Sequence, residues 1–271
     1  MSAAIGVFDS GVGGLSVLRS LHKQHPNEDF LYLADQVHVP YGPRSVVEVR
    51  QFSESITRFF IQRGVKMVVV ACNTASAAAL HPLRAAFPAT PFVGMEPAVK
   101  PAAEQTESGV VGVLATPATF QGALYSSVVE RFAHGVRILQ DTCSGLVEQI
   151  ELGDLDGEET LAILRRALGP MLKANIDTIV LGCTHYPFVI PAIKYLAGPQ
   201  VRVIDPAPAI ARQVGRLLDE HALHNPVKVK GKTTYLTTGN LDQFQNFLEK
   251  LEYSGEINHL TWHGTERLEN G

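Results

Sequence analysis

Two apolar runs dominate the hydrophobic pattern of the chain: Met67–Ala77 (MVVVACNTASA) and Thr178–Phe188 (TIVLGCTHYPF). In each, β-branched residues stop at a cysteine and small hydrogen-bonding residues follow, Asn73 and Thr74 in the first, Thr184 and His185 in the second. An apolar run of this length, ended by polar residues and followed by helical spacing, predicts a buried parallel strand that feeds a helix. Ligands bind at the carboxyl ends of such strands. The pattern therefore puts Cys72 and Cys183 at two equivalent chemical positions.

The same reading along the chain predicts strands at Ile5–Phe8, Phe30–Leu33, Met67–Ala71 and Phe92–Met95. Between them it predicts a glycine-rich turn (Asp9–Gly14), a helix over Leu15–His22, a Pro-Tyr-Gly-Pro loop at Pro40–Pro43 and a helix over Ser45–Gln62. The pattern then restarts. Val111–Leu114 echoes Ile5–Phe8, with Thr116 in the place of Ser10. Ile138–Asp141 echoes Tyr32–Asp35, Ile179–Cys183 echoes Val68–Cys72, and Val203–Pro206 echoes Gly94–Pro97. The offsets are 106, 106, 111 and 109 residues, in unbroken order. Such a repeat predicts two copies of one βα unit.

The expected fold is α/β: two similar three-layer domains with mostly parallel sheets, related by pseudo-twofold symmetry, with a cleft between them. From Pro208 the chain has no copy in its first half. It reads as a helix to about His221, a strand over Lys228–Thr238, a helix over Leu241–Leu251 and a strand over Ile257–Trp262. This tail is expected to return to the first domain, giving domains at 1–97 plus 208–271 and at 98–207. A cleft between two such domains suits a small ligand.

Composition narrows the function classes. The 271 residues are 45% hydrophobic and 18% charged, enough for a substantial core. A formal net charge of −4 offers no basic face for nucleic acid. The apolar runs are strand-length, so no membrane span is expected. The start of the chain lacks the basic and apolar regions of a signal peptide. Three cysteines in so long a chain make no disulfide framework, and the expected compartment is a reducing cytoplasm. No cysteine or histidine spacing matches a metal site. The G-x-G-x-x-G dinucleotide spacing fails, because Ser16 stands where the last glycine is needed.

Two equivalent thiols suit one reaction class well: a proton leaves one face of a carbon and another is returned to the opposite face. A free cysteine titrates near ~8.5, lower at a helix N-terminus, and both cysteines precede helical segments. One sulfur must begin as thiolate and the other as thiol, with roles that exchange with direction. A carbon-bound proton is far less acidic than a thiol, so fixed donors must stabilise the carbanion and water must be kept out. Asn73, Thr74, Thr116, Thr119 and Thr184 are candidate donors. Asp9 and His185 are candidates to set thiol protonation. Cys143, which has no copy in the first half, reads as structural. A cysteine hydrolase with Cys183 as nucleophile and His185 as base, and a two-lobed amino-acid-binding module, are the competing classes.

Four stretches carry a resemblance: FDSGVGGLSVL (Phe8–Leu18), VPYGPRS (Val39–Ser45), ACNTASA (Ala71–Ala77) and LGCTHYP (Leu181–Pro187). They closely resemble the glutamate racemase family, within the cofactor-independent aspartate/glutamate racemase superfamily, over essentially the whole chain. The resemblance implies interconversion of L- and D-glutamate, without cofactor or metal, that supplies D-glutamate for peptidoglycan. By position it implies Cys72 as acid/base toward the D-enantiomer and Cys183 toward the L-enantiomer, with Asp9, His185 and Glu151 as helpers. It also implies substrate contacts from Asp9-Ser10, Tyr41-Gly42, Asn73-Thr74 and Thr184-His185, and a homodimer. Read alone, Glu151 sits with Glu148 on what looks like a solvated helical face. The chain departs from the family at Asp35-Gln36-Val37-His38, where Asp-Thr-Ala-Arg is more usual, so that His38 stands in the place of the arginine. Residues alone do not choose between glutamate, aspartate and a hydantoin, since no arginine is evident for a side-chain carboxylate.

Overall fold

The computed structural model describes residues 3–265 and 267–270, the side chain of Asn270 excepted. The chain divides into two compact units, one of Met1–Met95 with Ala207–Gly271, the other of Glu96–Pro206.

The first unit holds a seven-stranded sheet. Its strands are β1 (Ile5–Asp9), β2 (Phe30–Ala34), β3 (Met67–Val70) and β4 (Phe92–Gly94), followed after the second unit by β9 (Thr233–Thr237), β10 (Glu256–His263) and β11 (Arg267–Asn270). The second unit holds β5 (Val110–Ala115), β6 (Arg137–Asp141), β7 (Thr178–Gly182) and β8 (Arg202–Ile204). The spatial orders are β11-β10-β9-β2-β1-β3-β4 and β6-β5-β7-β8. The sequence repeat is thus a repeat of topology: β2-β1-β3-β4 in one unit has the order β6-β5-β7-β8 in the other. All pairings are parallel except β10 with β11.

Parallel strands covered on both faces are continuous apolar runs. β3 (MVVV) is buried at every residue, and so is β7 (TIVLG). The first unit's core gathers Phe8, Leu33, Phe52, Ile56, Phe60, Val68 and Val70. Phe52, Ile56, Phe59 and Phe60 come from the helix Val46–Gln62, whose start is fixed by a capping box. There Ser45 Oγ accepts the Glu48 N–H at 3.2 Å and Glu48 Oε2 accepts the Ser45 N–H at 3.0 Å.

The tail adds β9 beside β2, register Phe30↔Thr233 to Ala34↔Thr237, then β10 and β11. β9 is shorter than the apolar pattern predicts. Lys228–Lys232 alternates lysine with small or apolar residues, and the backbone turns aside: Gly231 N–H donates to the Pro26 carbonyl and Lys232 N–H to Asp29 Oδ1. β11 and the helix Val99–Gln105 are not predicted from the sequence at all. In β11 only Leu268 is an apolar residue facing the core, so no alternation is visible. The helix begins inside a proline-marked stretch that reads as a linker.

Among the described residues, no helix is long and apolar enough to cross a membrane.

Candidate active site

In the first unit the candidate residues meet at the carboxyl ends of β1, β2 and β3. Asp9 is the last residue of β1, which pairs with β3 in the register Phe8↔Val70. The Ala71 N–H continues that ladder by donating to the Phe8 carbonyl, so Asp9 and Cys72 lie at neighbouring strand ends. Cys72 is the N-cap of the helix Asn73–Ala86, its Sγ accepting the Ala75 N–H at 3.4 Å. Ser10 Oγ stands 3.9 Å from the same sulfur. The Asp9 carboxylate accepts the Gly11 N–H at 3.0 Å.

The glycine-rich turn after Asp9 has a steric reason. A Cβ on Gly14 would stand 2.6 Å from the Asp9 Cβ and 3.0 Å from the Tyr32 hydroxyl. The turn therefore packs directly on Asp9. Tyr32 then anchors it by donating to the Gly11 carbonyl at 2.7 Å.

Tyr41 and Gly42 are buried in the loop that follows β2. Burial first, then the charge and hydrogen bond of Asp35, hold the Tyr41 phenol well above its ordinary range; the charges of Cys72 and Asp9 add to this. Asn73, at the first turn of its helix, is only 4% exposed, and both polar atoms of its amide are buried without a hydrogen-bond partner. Buried amides are almost always paired, so this one is open to a polar partner. Thr74 beside it is also buried.

In the second unit the corresponding strand end carries a relay. Cys183 Sγ stands 3.8 Å from His185 Nδ1, and His185 Nε2 stands 2.6 Å from Glu151 Oε1. Burial of the imidazole opposes its charge. The hydrogen bonds with Cys183 and Glu151, and their negative charges, outweigh that and raise the His185 pKa well above 6.5. His185 therefore bridges a sulfur and a carboxylate. Glu151 ends the helix Leu146–Glu151, and its side chain is only 12% exposed. Glu148 is exposed, as a solvated face requires, whereas Glu151 is partly buried and paired with His185.

Thr116 caps the short helix after β5, and its hydroxyl lies 3.0 Å from that of Thr119. Thr184 is buried beside Cys183. Tyr186 donates to the Thr142 carbonyl at 2.9 Å, fixing the Cys183–Tyr186 turn on the loop that starts the Glu151 helix. Cys143, in that loop, is buried and free, and burial followed by the Asp141 charge pushes its thiol well up.

Sequence reasoning missed Asp35, which it reads only as a strand end. It is fully buried and accepts from Tyr41 Oη at 2.6 Å, Trp262 Nε1 at 2.7 Å and Thr238 Oγ1 at 2.9 Å, with His38 Nδ1 at 2.9 Å. A carboxylate ending an apolar strand shortly before a Pro-Tyr-Gly loop was the available signal. A cavity of about 480 Å³, lined in part by His22, Lys230, Thr233 and Tyr253, lies at the other, amino-terminal ends of β9 and β10, away from Asp9 and Cys72. Among the described residues no group of three His, Cys, Asp or Glu side chains is arranged to hold a metal ion.

Two cysteines at matching strand ends, each among buried polar groups, define a family-level pattern, and the profile of Asp/Glu/Hydantoin racemases matches residues 5–214. The chain belongs to the Asp/Glu/Hydantoin racemase family. This racemase is 52% identical over 249 residues to a protein named glutamate racemase from Roseiflexus sp. (strain RS-1), covering 92% of each chain. Its fold matches Escherichia coli glutamate racemase, solved in complex with L-glutamate and the activator UDP-MurNAc-ala. The TM-score there is 0.85 and the identity 32%, over 97% of this chain and 100% of that one. Francisella tularensis subsp. tularensis SCHU S4 glutamate racemase, solved with D-glutamate, gives a TM-score of 0.80 and 28% identity, over 96% and 98% of the two chains. Membership of a racemase family sets aside the cysteine hydrolase, with Cys183 as nucleophile and His185 as base, and the two-lobed binding module.

Proposed function

We propose that this racemase interconverts L- and D-glutamate by two-base proton transfer, with Cys72 and Cys183 as the acid/base pair. One sulfur takes the Cα proton as thiolate while the other, as thiol, delivers a proton to the opposite face. The pair ends with its protonation states exchanged, ready for the reverse direction. The observation that carries the reading is a likeness to named glutamate racemases over nine-tenths of the chain, within a family match that spans both cysteine-ended strands.

The chemistry has support of its own. The hydrogen bonds and charges of Cys183 and Glu151 raise the His185 pKa, and Asp9 lies at the strand end next to that of Cys72. In this reading His185 and Asp9 tune the two sulfurs, with Glu151 fixing His185 from behind. Ser10, Tyr41, Gly42, Asn73, Thr74, Thr116, Thr119 and Thr184 hold the substrate. The unpaired Asn73 amide is the strongest local argument for a polar ligand there. Stabilising the carbanion falls to such fixed donors in a site closed to water.

The reading includes a cofactor-free and metal-free reaction in the cytoplasm, supply of D-glutamate for peptidoglycan, and a homodimer. The test is racemisation of each enantiomer in D2O by purified chain without added cofactor. Deuterium is expected at Cα of the product from either direction, with glutamate turned over faster than aspartate. Absence of exchange, or faster turnover of aspartate, refutes it.

A further inference from the structure

The Asp35 carboxylate lies outside the proton-transfer chemistry, yet it is among the most heavily bonded side chains of the first unit. An ionised carboxylate has about four lone-pair sites, and here four donors meet them. Tyr41 and His38 approach Oδ2, while Thr238 and Trp262 approach Oδ1. With no exposure to solvent, these donors replace its hydration entirely.

The donors come from separate parts of the chain. His38 and Tyr41 belong to the loop after β2, Thr238 follows β9, and Trp262 lies on β10. The last two belong to the tail that has no copy in the repeat. The Asp35 backbone is tied inward as well, its N–H donating to the Asp9 carbonyl at 3.0 Å. The loop is braced on its outer side too. His38 stacks on Phe52 at 3.9 Å between centroids, Trp262 meets the His38 ring edge-on at 5.1 Å, and the Val37 N–H donates to Thr238 Oγ1 at 3.1 Å. The unusual Gln36-Val37-His38 stretch is thus absorbed into this cluster.

We propose that Asp35 is a positioning residue for the Tyr41–Gly42 loop, and that the unrepeated tail acts on substrate binding through it, by way of Thr238 and Trp262. The Tyr41 phenol is held at one angle only while Asp35 itself is held, and Asp35 is held from Oδ1 by the tail. The tail is then part of the binding machinery without touching substrate. The inference rests on the proposed glutamate reading, in which Tyr41–Gly42 contacts the substrate.

Thr238→Val removes a donor to Oδ1, and the acceptor of the Val37 N–H with it, at nearly unchanged volume, and Trp262→Phe removes the other donor to Oδ1 while keeping an aromatic ring. Each is expected to raise KM for glutamate about tenfold, the loss of one hydrogen bond to a charged group, with kcat within about twofold. Thr238→Ser restores KM. In a Tyr41→Phe background the same two changes add little, because their route to the substrate is already cut. A lowered kcat at unchanged KM, tracking the folded fraction in a melting curve, marks a merely structural role and overturns the proposal. So does an unchanged KM in both variants while the parent chain racemises glutamate. A parent chain that does not racemise glutamate refutes the functional reading first, and the positioning role with it.

Discussion

His185 is where a single residue decides most. Its imidazole is buried, which on its own favours the neutral ring; the hydrogen bonds and charges of Cys183 and Glu151 reverse that and raise its pKa. Because the folded pKa lies above the unfolded value of 6.5, the stabilisation is complete below about pH 6.5 and is lost as pH rises through the raised value. Glu151→Gln removes one of the two negative partners and lowers the His185 pKa. The alkaline limb of kcat/KM is then expected to move to lower pH, with about a tenfold loss at pH 8, less than the roughly 10²–10⁴-fold that a direct acid–base group contributes. Stability should fall more at pH 6 than at pH 9. A pH–rate profile and melting curves at the two pH values check both. An alkaline limb that stays in place removes Glu151 from the relay.

Elements show what sequence pattern carries and what it does not. β3 and the helix Val46–Gln62 are legible because each is a local pattern: four apolar residues ended by Ala71-Cys72, and apolar residues spaced at Val49, Phe52, Ile56, Phe59 and Phe60 behind a Ser45 cap. Cys72 and Cys183 are legible for the same reason, as ends of such runs. The Asp35 cluster is not, because Thr238 and Trp262 reach it from 203 and 227 residues away. Glu151 misleads, because it is drawn away from the exposed Glu148 only by an imidazole 34 residues along the chain.

Asp177, just before β7, is another long-range clamp. It accepts the Thr106 hydroxyl at 2.8 Å and the Glu107 and Ser108 N–H groups at 2.6 and 2.7 Å. Desolvation pushes its pKa up, but these hydrogen bonds prevail and hold it at about 2, below the ordinary 3.8. Its stabilisation is present above about pH 3.8 and lost as pH falls toward 2. Asp177→Ala is expected to lower the melting temperature by a few degrees at pH 7, with the difference shrinking between pH 4 and pH 2. A pH-independent difference would mean that packing, not charge, holds the turn.

At the scale of the whole molecule, duplication explains why one chain carries two sulfurs. A βα unit repeated with its topology intact, β2-β1-β3-β4 and β6-β5-β7-β8, repeats its strand ends as well. Each sulfur has its own company: Ser10 beside one, with Asp9 at the neighbouring strand end, and His185, backed by Glu151, beside the other. Such unequal surroundings fit a reaction whose two faces are chemically distinct in each direction. In the proposed mechanism neither unit suffices. Cys72→Ala and Cys183→Ala are each expected to abolish racemisation in both directions, by the roughly 10²–10⁴-fold or more that a catalytic acid or base contributes. Mixing the two variants should restore nothing, because each chain must bring both sulfurs to one Cα. Polarimetry on each variant and on the equimolar mixture distinguishes the cases. Activity surviving in one variant disproves the two-base assignment, whereas recovery on mixing would move the reaction to a site shared between chains.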